Sequence, residues 1–172
     1  MANTVMYPKN LVWLWITLLV LILDLWTKSM ASGALDYADP VYVLPVFNLT
    51  LLHNTGAAFS FLAAAGGWQR WFFAALAIIV AVVIVRWLLV LRQEQRWQTV
   101  ALCLVLGGAL GNLYDRMIHG YVVDFLSFHY ADWYFPAFNI ADVGITLGAL
   151  MLIPEMLGWK KSDTDAAADK RS

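Results

Sequence analysis

The sequence has little charge and almost no cysteine. Of its 172 residues only 13% are charged, about half the share in an ordinary soluble domain, while 62% are hydrophobic. A chain of this size cannot bury so much apolar surface in a soluble fold. The single cysteine, Cys103, allows no internal disulfide and no paired-thiol metal motif, and its apolar surroundings favour simple packing. These shortages exclude a disordered chain, a disulfide scaffold, a coiled coil and a nucleic-acid module. They predict an integral membrane protein.

Four stretches are apolar enough to cross a bilayer, which takes roughly 20 residues. They cover about 11–31, 68–91, 99–118 and 139–157. The chain lacks the long alternating pattern of an outer-membrane barrel, so we predict an all-α integral membrane protein with four transmembrane helices. They form a single domain over residues 1–158, and the polar residues 159–172 are expected to be a disordered cytoplasmic tail. The first stretch could instead be a cleaved signal peptide, although charged residues interrupt it.

Basic residues are unevenly distributed between the two sides of this topology, eight against three. The rule that positive charge stays inside then predicts that both termini and the second-to-third connection face the cytoplasm. Residues 32–67 and 119–138 would lie outside. The alternating stretch 41–44 predicts a short strand there, and the dense aromatic residues of 130–138 favour the surface of the outer leaflet. We expect a small extracytoplasmic platform containing β-strands. The eight inner residues are Lys9, Arg86, Arg92, Arg96, Lys160, Lys161, Lys170 and Arg171, and the three outer ones are Lys28, Arg70 and Arg116.

Ionisable residues gather near the outer ends of the predicted spans, where burial without a partner is costly. Asp24 and Lys28 are four residues apart on one helix face, so a structural ion pair is predicted.

The third span carries a step of small residues, Gly107 and Gly111, that lets another helix approach closely. Gly108, Asn112 and Arg116 follow one another at intervals of four and therefore lie along one stripe. This stripe either packs against a neighbouring helix or binds a polar group of a substrate, because buried donors need acceptors.

Two further carboxylates have no cation nearby in the sequence. Asp124 follows the third span, and Asp142 begins the fourth, three residues after Asn139. Asp142 fits a capping box with Asn139, and Asp124 fits a simple loop acid. Adjacent antiparallel helices would nevertheless bring both to one membrane depth. Two such carboxyl groups share one proton and can activate water against a peptide carbonyl, so the sequence predicts an aspartyl hydrolase without a metal.

Other chemistries have weaker support. Three histidines, His53, His119 and His129, lack metal-ligand spacing. Cys103, Ser60 and Ser127 have no base at a recognisable spacing for nucleophilic catalysis. A small proton-coupled transporter or channel subunit stays open as an alternative, because carboxylates in membrane spans often relay protons. A scaffold without activity is a third interpretation.

Four segments of the chain resemble those of bacterial lipoprotein signal peptidase, the signal peptidase II family. They are Asn54-Thr-Gly-Ala-Ala-Phe-Ser, Gly107-Gly-Ala-Leu-Gly-Asn-Leu-Tyr-Asp-Arg, Val122-Val-Asp-Phe and Phe138-Asn-Ile-Ala-Asp. The resemblance covers about residues 11–157 in order.

This resemblance implies a membrane aspartyl endopeptidase of the bacterial inner membrane, with its active site near the periplasmic face. Its substrates would be diacylglyceryl-prolipoproteins, cut just before the lipid-bearing cysteine. It would need no cofactor, and globomycin-type cyclic peptides would inhibit it. The resemblance makes Asp124 and Asp142 the catalytic pair. It also implies a short amphipathic helix in the platform and assigns the substrate site to five residues: Asn54, Gly108, Asn112, Arg116 and Asn139.

Overall fold

The computed structural model describes residues 6–56, 67–131 and 133–157. A 3₁₀ helix, Pro8–Trp13, leads into α1, Leu14–Ala34. The remaining elements follow in chain order: β1 Val41–Leu44, β2 Phe47–Asn54, α2 Trp68–Val90, α3 Arg96–Ile118, β3 Val122–Tyr130, β4 Trp133–Tyr134 and α4 Ile140–Met156. The four α-helices begin and end within three residues of the predicted stretches.

Three of these helical segments are long and apolar enough to cross a membrane by length and composition: Pro8–Ala34, Trp68–Val90 and Arg96–Ile118. The fourth helix, α4, has 17 residues in the described part of the chain. The outward faces of the helices carry many exposed leucine, isoleucine, valine and tryptophan side chains. Such surfaces need a lipid environment, which agrees with the predicted class of protein.

Helix α3 lies at the centre, packed against α1, α2 and α4. Its glycines make this close packing possible, as the small-residue step predicted. A Cβ atom added at Gly107 would lie 2.7 Å from the Cβ of Val20 in α1. A Cβ at Gly108 would collide with the carbonyl oxygen of Ala141 in α4. Because neither neighbour can retreat without moving a backbone, α1 and α4 can come this close to α3 at these two positions only if each is glycine.

The strands form one antiparallel sheet in the order β1-β2-β3-β4. The predicted strand at 41–44 is present as β1. In the central pair, Leu52 lies opposite Asp124 and Asn54 opposite Val122. This end of the sheet meets the ends of the helices, because the backbone N–H of Val123 donates to Asp115 in α3 at 3.0 Å.

The expected short amphipathic helix is absent from the described platform residues, which are 35–56, 119–131 and 133–138. Platform residues 57–66 lie outside the described residues. The expected tail, residues 159–172, also lies outside them. Asp124 follows the end of α3, as the sequence indicated, but it lies in a strand and not in a loop. It is the third residue of strand β3, because the chain turns into the sheet at Gly120, whose φ of 87° ends α3.

Candidate active site

The first turn of α4 is fixed by the predicted capping box. Asn139 is the N-cap, and its Oδ1 accepts a hydrogen bond from the backbone N–H of Asp142 at 3.0 Å. In return, Oδ2 of Asp142 accepts from the backbone N–H of Asn139 at 3.2 Å. This exchange satisfies two backbone N–H groups at the start of α4 and holds the carboxyl group of Asp142 at the N-terminus of the helix.

Strand β3 presents the second carboxyl group. Asp124 is 3% exposed, and amide groups from two other elements donate to its two oxygens. Nδ2 of Asn139 lies 2.7 Å from Oδ1, and Nδ2 of Asn54, from β2, lies 3.0 Å from Oδ2. The register of the sheet makes the second bond possible, because it brings the last residue of β2 beside Asp124.

Asn112 of α3 connects this arrangement to a buried ion pair. Its Nδ2 donates to Oδ1 of Asp142 at 2.8 Å, and its Oδ1 accepts from Nζ of Lys28 at 3.0 Å. Lys28 forms the predicted pair with Asp24, at 2.7 Å, and also lies 3.0 Å from Oδ2 of Asp115. Lys28 is 3% exposed and Asp24 is fully buried, so this cluster belongs to the interior.

The same buried acids tie separate elements together. The Oδ1 of Asp24 accepts from the backbone N–H of Ala141, at 2.8 Å, and so joins α1 to the first turn of α4. Asp115 accepts from Val123 and so joins α3 to β3. Sequence reasoning gave Asp115 no role here. The only signal for such a role was its position one residue before Arg116, which ends the stripe of Gly108, Asn112 and Arg116.

A cavity of about 460 Å³ opens beside the two carboxyl groups. One part of its wall is polar and holds Asp124, Asp142, Asn54, Asn112 and Arg116. The other part is mostly apolar and comes from β3, from the segment before α4 and from α4 itself: Val122, Phe135, Pro136, Ala137, Phe138, Val143, Ile145, Thr146 and Leu147.

The environment of Asp124 changes its acidity. Burial and, to a smaller extent, the negative charge of Asp142 raise the pKa of Asp124 from its usual value near 3.8 to about 7. The amide donors Asn54 and Asn139 act in the opposite direction. A carboxyl group with a pKa near neutrality can hold or release a proton at physiological pH, which is a property of catalytic acids and bases.

Arg116 closes one side of the cavity. Its Nη2 donates to the carbonyl oxygen of Gly56 at 3.1 Å and its Nη1 to that of Asn112 at 3.3 Å. The guanidinium also lies over the ring of Phe73, 5.1 Å from the centroid. Arg116 therefore joins α3 to the chain that follows β2 and adds positive charge to the cavity wall.

The structure brings most of the predicted substrate residues to the cavity. Asn54, Asn112 and Arg116 line it, whereas Gly108 packs under the backbone of α4 and Asn139 is fully buried behind the carboxyl groups. Their assignment to substrate binding stays a prediction.

The three histidines lie elsewhere in the platform. The ring of His53 stacks on that of Tyr121, with 4.0 Å between the ring centroids. The ring of His119 also stacks on Tyr121, at 5.8 Å. Burial lowers the pKa of His53, and the neighbouring His119 lowers it further. His129 stacks on Tyr134. Among the described residues, no three His, Cys, Asp or Glu side chains are grouped so that they could hold a metal ion.

A sequence model of the family described as signal peptidase (SPase) II matches residues 16–158. The chain belongs to the signal peptidase II family. It is 57% identical over 147 residues to the lipoprotein signal peptidase of Acinetobacter baumannii, covering 86% of this chain and 84% of that protein. It is 54% identical over 155 residues to the lipoprotein signal peptidase of Pseudomonas aeruginosa, covering 89% of this chain and 92% of that protein.

A solved structure agrees at the level of the fold. It is described as a bacterial membrane enzyme determined by the in meso method at 2.3 Å resolution, and it matches with a TM-score of 0.76 and 31% identity over 92% of this chain and 93% of that chain. As a member of the signal peptidase II family the chain is a membrane enzyme, a protease with lipoprotein signal peptidase activity. This decides against the transporter and the inactive scaffold.

Proposed function

We propose that this signal peptidase II family member cleaves diacylglyceryl-modified prolipoproteins just before the lipid-bearing cysteine, with Asp124 and Asp142 as its catalytic pair. The observation that carries the proposal is that two carboxyl groups from separate elements line one cavity, each held by amide N–H donors. Within the described residues, neither carboxyl group has a Lys, Arg or His nitrogen within 4.0 Å. Neither Asp124 nor Asp142 therefore forms a structural ion pair with a described residue.

The pair performs general acid–base catalysis. One carboxylate takes a proton from water while the other, protonated, donates a hydrogen bond to the scissile carbonyl. Water attacks, a tetrahedral intermediate forms, and a proton passes to the leaving nitrogen. Two neighbouring carboxyl groups in a poorly solvated site hold one proton between them, and the raised pKa of Asp124 agrees with this sharing.

Arg116 adds electrostatic stabilisation in this scheme. A fixed positive charge in a poorly solvated cavity stabilises the negative charge that develops on the carbonyl oxygen. Asn54 contributes by orienting Asp124, because its side chain donates to that carboxyl group. Asn112, Asn139 and Gly108 complete the region expected to hold the substrate backbone, with Gly108 acting by letting α4 approach.

The shape of the cavity suits a lipid-modified substrate. Its polar part holds the carboxyl groups, and its apolar part follows the side of α4 through Val143, Ile145 and Leu147. A substrate anchored by acyl chains stays in the bilayer, since each buried CH₂ contributes about 0.8 kcal/mol. It therefore reaches the enzyme laterally, with its scissile bond at a fixed depth. A globomycin-type cyclic peptide would inhibit by occupying the same cavity.

The same proposal places the whole domain, residues 1–158, in the bacterial inner membrane with four spans. In this topology α4 is the fourth span, both termini face the cytoplasm and the sheet lies at the periplasmic surface. The charge bias of the sequence supports this orientation, and so do the exposed aromatic side chains of the sheet, including Tyr42, Tyr130, Trp133 and Tyr134.

The test is a cleavage assay in detergent with a diacylglyceryl-modified prolipoprotein. Asp124→Asn and Asp142→Asn are expected to lower kcat by at least about a hundredfold, because general acid–base catalysis contributes that much or more. Asp39→Asn, on an exposed loop, is the matched control and keeps full activity. A chelator arm is expected to leave the wild type active. Folded aspartate variants that still cleave, or a wild type silenced by the chelator, would overturn the mechanism.

A further inference from the structure

Lys28 lies behind the carboxyl pair, and three acceptors surround its ammonium group. They are Oδ2 of Asp24 at 2.7 Å, Oδ2 of Asp115 at 3.0 Å and Oδ1 of Asn112 at 3.0 Å. An ammonium group has three donor hydrogens and no acceptor. Two acceptors are carboxylates, as a buried cation requires. The third is the neutral amide of Asn112, a residue that also contacts Asp142.

The ammonium group, at 3.0 Å, and the more distant Nδ2 of Asn139, at 3.3 Å, both donate to Oδ1 of Asn112 and so determine which end of this amide faces the catalytic site. Since Lys28 can only donate, the Asn112 atom beside it is the oxygen, and Nδ2 then faces Oδ1 of Asp142 at 2.8 Å. A reversed amide would set an N–H against the ammonium group and an oxygen against a carboxylate. A cation on the oxygen also polarises the amide and strengthens its N–H as a donor.

We propose that Lys28, acting through Asn112, positions Asp142 as the ionised member of the pair, so that Asp142 takes the proton from water and Asp124 carries the shared proton. This inference rests on the proposed catalytic pair. It assigns Lys28 and Asn112 to positioning, whereas the family resemblance places Asn112 among the substrate-binding residues.

The surroundings of the two carboxyl groups support this asymmetry. Asp142 accepts N–H groups on both oxygens and lies in the first turn of α4, where the helix dipole favours a negative charge. Asp124 also accepts two amide bonds, but it lies in a strand and gains no helix terminus. The raised pKa of Asp124 agrees with its holding the proton. The charged groups around Asp142 are Asp124 from β3, Arg116 and Asp115 from α3, and the Lys28–Asp24 pair from α1.

A double-mutant cycle separates positioning from a merely structural role. The variants are Lys28→Gln, Asn112→Ala and the combination of both, and kcat and KM are measured for each with the lipid-modified prolipoprotein. Each single change is expected to lower kcat by about tenfold or more, with KM within about threefold of the wild type. The combination is expected to match Asn112→Ala within about twofold, because Lys28 acts through Asn112.

Two results would overturn the inference. In the first, the fold loss in kcat of the combined variant equals the product of the two single losses, which would show that Lys28 acts independently of Asn112. In the second, Asn112→Ala raises KM and leaves kcat unchanged, so that Asn112 binds substrate. Lys9→Gln, an exposed lysine, is the control for the charge change and keeps wild-type kinetics. Asp142→Asn in the same assay separates failure of this inference from failure of the catalytic pair, because only the latter leaves that variant active.

A second variant guards against misfolding, since Lys28→Gln leaves two buried acids without their cation. Asn112→Asp keeps the shape of the side chain and gives Lys28 a further carboxylate partner, but it turns the donor towards Asp142 into a negative oxygen. We expect kcat to fall. We also expect the apparent pKa of the acidic limb of the pH–rate profile to rise by about one unit or more, because the new negative charge disfavours ionisation of the pair. An unchanged limb in a folded Asn112→Asp protein would contradict the inference.

Discussion

Asn139 donates from Nδ2 to Oδ1 of Asp124 at 2.7 Å while its own Oδ1 accepts the backbone N–H that caps α4. A single amide therefore joins the strand that carries one carboxyl group to the helix that carries the other. Since the cap fixes the orientation of the amide, the donor towards Asp124 is fixed with it.

Replacing Asn139 separates its two tasks. Asn139→Ser keeps an oxygen that can cap α4 but loses the amide donor to Asp124, whereas Asn139→Ala loses both. We expect both variants to lose activity by about tenfold or more. We expect the free energy of unfolding of the alanine variant to be about 1 kcal/mol lower than that of the serine variant, because a cap usually contributes that much. Cleavage kinetics and thermal unfolding in detergent measure the two effects. Equal stability of the variants would show that the cap contributes nothing.

The raised pKa of Asp124 predicts how activity depends on pH. The proposed mechanism needs one proton on the pair of Asp124 and Asp142. As the pH rises through about 7, Asp124 releases that proton and the active fraction falls. We expect kcat/KM to decline above about pH 7, with an apparent pKa that belongs to the pair. A rate profile in one detergent over pH 5–9, at constant ionic strength, checks this. A rate that rises steadily through this interval would argue against a shared proton.

The glycines of α3 predict a sharp contrast between two Gly→Ala changes. Gly108→Ala drives a Cβ into the carbonyl of Ala141 and pushes α4, with Asp142, away from α3. We expect a loss of about 1–3 kcal/mol in stability together with a loss of activity. Gly33→Ala, near the end of α1, meets no atom within 4 Å and is expected to be neutral or slightly stabilising. Thermal unfolding and cleavage of both proteins test this, and equal behaviour would contradict the packing argument.

The sequence was sufficient for the parts of the fold that depend on local signals. Long apolar runs define a helix within a few residues, so α1 to α4 were predicted nearly as they stand. The box of Asn139 and Asp142 was predicted because a cap and its partner are three residues apart. The spacing of Gly107 and Gly111 likewise indicated close helix packing, because such contacts depend on residue size alone.

Contacts between distant segments could not be predicted from local patterns. Asn54 and Asp124 are 70 residues apart and meet only through the register of β2 and β3, which no periodicity reveals. Asp115 carries no signature of its own, since its partners Lys28 and Val123 come from another helix and a strand. The resemblance to a known family supplied Asn54 as a site residue, and the structure adds the contact with Asp124.

The hydrogen bond from the backbone of Ala141 to Asp24 spans 117 residues and joins the first helix to the last. During synthesis, the acid of α1 is made long before its partner in α4 leaves the ribosome. Until α4 is made, Asp24 lacks the N–H donor of Ala141, and the contact that joins α1 to α4 cannot form. The proposed catalytic pair can be completed only when α4 is made, so a chain cut short before α4 lacks Asp142 and is expected to have no protease activity.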